Sequence, residues 1–395
     1  MSSATEQTSL LQAPAPAKAP DTSAITSEIV QVAKLHGVSP VQQLREGFSL
    51  RFGRQKLSSK DYYAFGLYDP AMPSEKKRQF VGARGSNALN AAMTPPDLTQ
   101  TRAFVGNKLL YTQLLDKLGL ATSETQALTS SYREVGKLPV MRDAAQLESF
   151  LCNDALYPLF CKPQYGSLSD GSVRLECIDG HTLSLGNGET RHVSLFADEV
   201  VERYPGGYLL QTAIDPHPQM AKIAGGAIGC VRVLTVNAGK GPKPVYSVWK
   251  LPAPNAMSDN FWQDGSLLAQ LDLETGTIQS CVRGTGLNAE SLEVHPQSGA
   301  HVVGAELPYW EETLKLATQA HALFPEFGVC GFDIAIGAGG PQILECNDNP
   351  AHVLYQHASG RGIWNEDFAP IWDSVIERQK KALAWAKAET RKKEK

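Results

Sequence analysis

FDIAIGAGGPQILECNDNP, residues 332–350, is the stretch on which the reading of this chain turns. Two short runs rich in β-formers flank Gly-Ala-Gly-Gly, the pattern of a β-hairpin. Side chains alternate between faces along a strand, so Asp333 lies on the face opposite Phe332 and Ile334. Glu345 and Asn347 share one face of the second strand, and cross-strand partners lie on the same face of a sheet. Placing Asp333 opposite Glu345 puts Ile336 opposite Gln342 and makes residues 337–341 a five-residue loop. That loop must then keep an odd length, and one inserted glycine is expected to put Asp333 out of phase and abolish activity. Asp333, Glu345 and Asn347 would converge three hard oxygen donors, the chemistry of Mg²⁺ shared with substrate phosphates and water. The same alternation also describes an amphipathic hairpin with solvated acids, so the remainder of the chain must decide.

The composition excludes several classes. The chain has 395 residues, 42% hydrophobic and 20% charged, with a formal net charge of −4. This is the balance of a soluble globular protein with a sizeable core. It gives no electrostatic reason to expect nucleic acid or an anionic membrane as partner. No apolar run approaches the length of a membrane span, and MSSATEQTSLLQAPAPAKAP lacks the cationic start and apolar core of a secretory signal. Seven cysteines are scattered without a C-x-x-C pair, which argues against zinc and a disulfide framework and for a reducing cytoplasm.

Residues 1–26 are rich in Ser, Ala, Pro and Thr and are expected to form a disordered tail. Residues 27–100 form a helical and irregular extension, with two short helices broken at Gly37 and Pro40, a Ser-Ser-Lys-Asp helix start, and an irregular stretch from 70 to 100. A helix begins at Asn107-Lys108, its Leu110, Leu114 and Leu118 stripe stopping near Gly119. Strands are expected at LPVMR, PLFCKP, SVRLECI and GYLLQTAI, and then at GCVRVLTV, PVYSVWKL, LLAQLDL and TIQSCVRG. Helices follow at about 309–324 and 367–389, before a basic tail over 381–395. Helices mixed with antiparallel hairpins favour an α+β fold.

Phosphates require fixed positive charge, backbone N–H donors and commonly a metal. Lys162 ends the strand PLFCKP, and QYGSLSDG then supplies a loop with Gly166, Ser167, Ser169 and Gly171. A hairpin loop with a surface lysine has the same pattern, and no Walker A sequence is present. Arg232 sits among valines and needs an anion if buried, either a carboxylate or a phosphate. Lys108 opposes the helix dipole at a helix start, which points to a local anion or to a side chain that snorkels away. Lys250 in SVWKLP presents the same choice.

The order Lys108, Lys162-Pro with its glycine loop, Gln211, Arg232, Asp333 and Glu345-x-Asn347 resembles the ATP-grasp superfamily over about residues 100–355. The sharper resemblance is to its sugar-transfer-associated, alpha-L-glutamate-ligase-like branch. It lies at KLSSKDYYAFGLY, FVGNKLLYTQLLDKLGL, AIDPHP before CVRVLTV, and DNFWQDGSLLAQLDLETG. The resemblance implies two α+β subdomains gripping ATP, over 101–208 and 209–380, with a helical N-terminal extension. It implies that Lys108 and Lys162 contact ATP phosphates and that 166–171 forms a flap over them. Gln211, Thr212 and Ala213 would lie at the hinge near adenine, and Arg232 would face the transferring phosphoryl group. Asp333, Glu345 and Asn347 would hold one or two Mg²⁺ ions, Mn²⁺ being a chemically acceptable substitute, with Asn349 orienting the site. The chain departs from the branch at Ser169-Asp170 in the flap and at Gly265-Ser266, where a second glycine is common.

The activity implied is that of a cytoplasmic, ADP-forming carboxylate–amine ligase working through an acyl phosphate, with Arg232 and Lys162 as catalytic residues. Amino-acid, peptide-like or sugar-acid substrates are expected, and a homodimer is left open. No general base is assigned, His217 and Asp259 being the candidates. The alternatives are a phosphotransferase on the same fold, or a non-catalytic nucleotide-binding partner of a glycan or peptide assembly system.

Overall fold

The computed structural model describes residues 22–166 and 169–393, so residues 1–21 of the expected tail, Ser167 of the expected flap and the extreme C-terminus lie outside the described residues. The architecture is mixed α+β and contains two seven-stranded sheets. The first holds β1 (Thr125–Thr129), β2 (Val140–Met141), β3 (Leu159–Pro163), β4 (Val173–Asp179), β5 (Thr182–Leu185), β6 (Thr190–His192) and β7 (Tyr208–Thr212). Their order across the sheet is β2-β1-β7-β3-β4-β5-β6. The second holds β8 (Val231–Asn237), β9 (Pro242–Leu251), β10 (Leu267–Leu271), β11 (Ile278–Arg283), β12 (Glu290–Ser291), β13 (Val329–Gly337) and β14 (Gly340–Asn347). Their order is β12-β11-β10-β9-β8-β13-β14, each neighbouring pair antiparallel.

The two-residue period of the second sheet divides its side chains cleanly. Val231, Val233, Trp249, Leu251, Leu267, Ala269, Phe332, Ile334 and Ile336 join a core with Tyr111, Leu115, Leu316, Ala317 and Ala320 of the helices Lys108–Lys117 and Trp310–Ala322. Leu234, Val248, Leu268 and Val329 face the other way, onto Leu89, Met93, Leu354, Tyr355, Trp372 and Val375. Arg232, Lys250 and Asp333 have this second parity. Along one face of the sheet, apolar packing therefore gives way to a buried polar row.

The N-terminal segment differs from its sequence reading at two points. Thr22–His36 is a helix, so residues 22–26 are not tail. The stretch expected to be irregular contains the helix Ala83–Met93, whose Leu89 and Met93 enter the core of the second sheet. The helix Pro40–Arg51 and the Ser58/Asp61 capping box match the expected breaks and start. Asn107 caps Lys108–Lys117 by accepting the Leu110 N–H. The C-terminal helix runs from Ala369 to Lys393, through the stretch expected to be a basic tail. No helix among the described residues is long and apolar enough to cross a membrane.

The deciding hairpin also needs correction. Asp333 does pair with Glu345, but Ile334 pairs with Ile343, Ala335 with Gln342 and Gly337 with Gly340. The turn is therefore the two residues Ala338 and Gly339, and Leu344 is the extra residue of a β-bulge. The bulge supplies the one-residue shift that sequence alternation had assigned to the loop.

Candidate nucleotide and metal site

A cleft of about 420 Å³ lies between the two sheets. The connection from β7 toward β8 forms one wall, with Gln211, Thr212 and Ala213 lining it. Gln211 is buried and donates to Thr125 Oγ1 at 3.0 Å. Thr212 Oγ1 donates to Glu124 and accepts from Gln126, both at 3.0 Å, and the Ala213 N–H donates to Pro158 O at 2.9 Å. The segment leaving the first sheet is thus tied on both sides before it crosses to the second.

Lys108, Lys162, Gly166, Ser169, Arg232, Asp333, Glu345 and Asn347 all line the same cleft, as do Lys250 and Asp259. Lys108 sits at the first turn of its helix, where its Nζ donates to Gly166 O at 2.8 Å and lies 4.0 Å from Glu345 Oε2. The local anion that its unfavourable place on the helix dipole calls for is therefore Glu345. In the loop expected to form a flap, Ser169 and Gly171 have left-handed backbones. Gly171 also permits a close approach, because a Cβ there would lie 2.1 Å from Tyr204 Oη. Its carbonyl accepts from Tyr208 Oη at 2.6 Å.

Lys162 is buried at 8% exposure, yet it makes no hydrogen bond or ion pair with any described residue. Burial pushes its pKa down, Glu345 partly opposes this, and Lys108 adds to it. A buried ammonium without a partner is costly unless an anion arrives.

Arg232 instead has a carboxylate partner. It lies directly across from Asp333 in the β8–β13 ladder, its Nε and Nη2 both reaching that carboxylate. Lys250 Nζ donates to Asp333 Oδ2 at 3.1 Å and reaches Asp259 Oδ2 at 3.0 Å. Asp259 in turn accepts the Cys230 N–H at 2.9 Å. Burial opposes ionisation of Asp333, but Arg232 and Lys250 outweigh it and hold the carboxyl well below the usual range. Sequence reasoning left the partner of Lys250 open and named Asp259 only as a candidate base. Arg174 was missed. It lines the cleft and pairs with Glu176 at 2.7 Å and Asp215 at 2.6 Å. Its one signal was an arginine alternating with Val173 and Leu175. His217, the other candidate base, caps the helix Pro218–Ala224 and does not line the cleft.

Among the described residues no group of three or more His, Cys, Asp or Glu could hold a metal. The candidate set here is two carboxylates and an amide. Asp333 Oδ1 accepts from Arg232, and the Asp333 carboxyl lies within hydrogen-bonding reach of Glu345, so the two carboxyl groups stand together at the site. Asn347 spends its Nδ2 on Glu345 Oε1 at 3.3 Å, which leaves its Oδ1 free of described donors. Glu345 is half-buried, with Oε2 4.0 Å from Lys108. These are hard oxygen donors too few to enclose a cation, which fits an ion that keeps water and phosphate ligands.

The sugar-transfer-associated ATP-grasp family model matches residues 99–369, and the chain belongs to that family. No curated protein matches the sequence. Similar solved structures include the L-amino acid ligase of Bacillus licheniformis, 17% identical, with 67% of this chain and 45% of that chain covered and a TM-score of 0.34. The D-alanine–D-alanine ligase of Bacillus anthracis is 13% identical, over 71% and 68% of the two chains, with a TM-score of 0.37. That of Coxiella burnetii is 11% identical, over 74% and 63%, with a TM-score of 0.41. The chain spans under half the length of the first and about two thirds of the others. Likeness at this level bears on neither substrate nor mechanism.

Proposed function

We propose that the protein is an ADP-forming carboxylate–amine ligase that binds ATP with Mg²⁺ in the cleft between its two sheets. The observation that carries this reading is Lys162, a buried cation with the Phe160 ring beside it but no hydrogen bond or ion pair to any described residue, opening on the same cleft as Glu345 and Asn347. A phosphate chain between them would satisfy the lysine, and a divalent ion would let it approach the carboxylates. The ion would supply charge neutralisation on the phosphate oxygens.

Lys162 and Lys108 would hold the phosphates, and Gly166, Ser169 and Gly171 would give the flap the freedom to cover them. Arg232 keeps its Nη1 free of described acceptors while Asp333 fixes its plane, so the guanidinium is preorganised toward the γ-phosphoryl group. The substrate carboxylate takes that group, giving an acyl phosphate and ADP. An amine then attacks the acyl carbon, and phosphate leaves as the amide forms. Exclusion of water by the flap protects the acyl phosphate from hydrolysis. Amino acids, peptides and sugar acids are the candidate carboxylates.

The test is a screen for ADP and phosphate release across such acids paired with amines, with mass spectrometry of the products. An amide formed with one ADP and one phosphate is expected, and Glu345→Gln is expected to abolish it. A stable phosphorylated acceptor would replace ligation by phosphotransfer. Unchanged turnover in Glu345→Gln would remove the site assignment.

A further inference from the structure

Asp348 and Asn349 line the cleft beside Asn347, on a segment that has left the β14 ladder. Pro350 packs against β13 so closely that a Cβ on Gly331 would lie 2.7 Å from Pro350 Cβ. The polar groups of this segment are held from one side. Asn90 Nδ2 donates to Asn349 Oδ1 and to Pro350 O, both at 2.8 Å. Asn349 Nδ2 donates to Asn87 Oδ1 at 3.1 Å. Ser86 Oγ donates to Pro350 O at 3.4 Å and accepts the His352 N–H at 3.3 Å. Arg102 donates to the Asp348 carboxylate.

Asn90 is fixed in turn. Its Oδ1 lies 2.8 Å from His352 Nε2, and His352 Nδ1 lies 2.8 Å from Tyr246 Oη. An amide nitrogen that donates twice leaves Asn90 Oδ1 as the acceptor, so His352 carries its proton on Nε2 and accepts from the tyrosine hydroxyl. Burial pushes the His352 pKa down to about 3, which keeps the ring neutral near pH 7. A single polar chain thus runs from Tyr246 through His352 and Asn90 to Asn349. Asn90, Asn87 and Ser86 all precede the residues matched by the family, 99–369.

We propose that Asn90 is a positioning residue through which the helix Ala83–Met93 fixes Asn349 and the backbone following Asn347, and so sets the affinity for Mg²⁺-nucleotide. This rests on the reading of the cleft as a Mg²⁺-ATP site. Groups that orient metal ligands typically cost tenfold or more in metal affinity when removed.

The test is calorimetric titration of the full chain with ATP, with and without Mg²⁺. Asn90→Asp keeps the size and the acceptor for His352 but replaces the donor with an oxygen facing two oxygens. It is expected to weaken Mg²⁺-ATP binding by about tenfold and to leave metal-free ATP unchanged. Asn87→Ala, a truncation at the surface, is expected to act in the same direction by less. Gln43→Ala serves as the contrast. Gln43 Nε2 donates to Val38 O at 2.7 Å within the N-terminal segment, so this change should lower the melting temperature without altering nucleotide affinity. Wild-type Mg²⁺-ATP affinity in the folded Asn90 and Asn87 variants would overturn the inference while leaving the proposed function standing. If Asn90→Asp does not fold, Asn87→Ala decides on its own. Failure of the wild-type protein to bind Mg²⁺-ATP would overturn both.

Discussion

Lys162 and Asp333 are both buried charges, and truncating them is expected to have opposite consequences for stability. Lys162 makes no hydrogen bond or ion pair with any described residue and has only the Phe160 ring beside it, so Lys162→Met removes a poorly compensated ammonium and keeps the aliphatic stem. Its melting temperature should hold or rise. ATP binding should weaken by about tenfold or more, the worth of a charge-assisted hydrogen bond. Calorimetry beside thermal unfolding checks this, and a fall in melting temperature with unaltered ATP affinity would make Lys162 part of the scaffold. Asp333→Ala leaves Arg232 and Lys250 buried without their shared carboxylate, which should cost about 3–5 kcal/mol in urea denaturation with no nucleotide present. Lost activity in that variant therefore says little about metal binding, whereas Glu345 is half-buried, touches the group only through Asp333 and has its ion pair with Lys108, so its variant disturbs the fold less and reports more directly on the ligand. The need of Arg232 for an anion was legible from its valine neighbours. Which anion was not, because Asp333 is brought to it only by the pairing of β8 with β13.

At the scale of elements, the bulge at Leu344 changes what the deciding hairpin predicts. Asp333 and Glu345 stay opposite each other because β8 holds β13 on its far side and the bulge absorbs the odd residue, not because of the turn. A glycine inserted between Ala338 and Gly339 should give a three-residue turn and leave turnover close to wild type. Loss of turnover in that insertion would restore the parity argument. Alternation sufficed to place the acids on one face, but a bulge has no sequence signature of its own here. The helix Ala83–Met93 escaped for a related reason. ARGSNALNAAM has a glycine, a serine and two asparagines in its eleven residues, so propensity alone does not announce it. Its helical state draws on Leu89 and Met93 in the core and on the Asn90 hydrogen bonds, all of them contacts distant in sequence. The capped helix at Asn107 was legible because its cap is local.

At the scale of the molecule, two buried histidines and one half-buried one tie stability to pH. Burial pushes His352 to about 3, and His321 and His357 to about 4. In the unfolded chain each takes up its proton near pH 6.5. Their contribution is therefore complete above that pH and is lost as pH falls from about 6.5 toward 4, by on the order of 1 kcal/mol per pH unit for each fully buried ring. His357 is partly exposed and should contribute less. Asp333, held low by Arg232 and Lys250, adds its own loss only below about pH 4. Denaturation midpoints that do not fall between pH 7 and pH 5 would contradict this.

The family match covers residues 99–369, but the packing does not respect those limits. Val81, Leu89 and Met93 before it, and Trp372 and Val375 after it, are buried in one core with Leu234, Val248 and Leu354. Gly328 lies so close to the end of the helix Ala83–Met93 that a Cβ there would stand 1.9 Å from Met93 O. The Thr94 hydroxyl accepts the N–H groups of Gly328 and Val329, both at 3.1 Å, where β13 begins. At about 2 kcal/mol for each buried side chain, the five flanking residues represent on the order of 10 kcal/mol, comparable to the whole stability of a typical domain. A chain comprising residues 99–369 alone should therefore lack a cooperative thermal transition and expose apolar surface, whereas residues 22–393 should melt cooperatively. A cooperative transition in the shorter chain, with nucleotide affinity intact, would show that the flanking helices are dispensable to the fold and to the site that β13 and β14 carry.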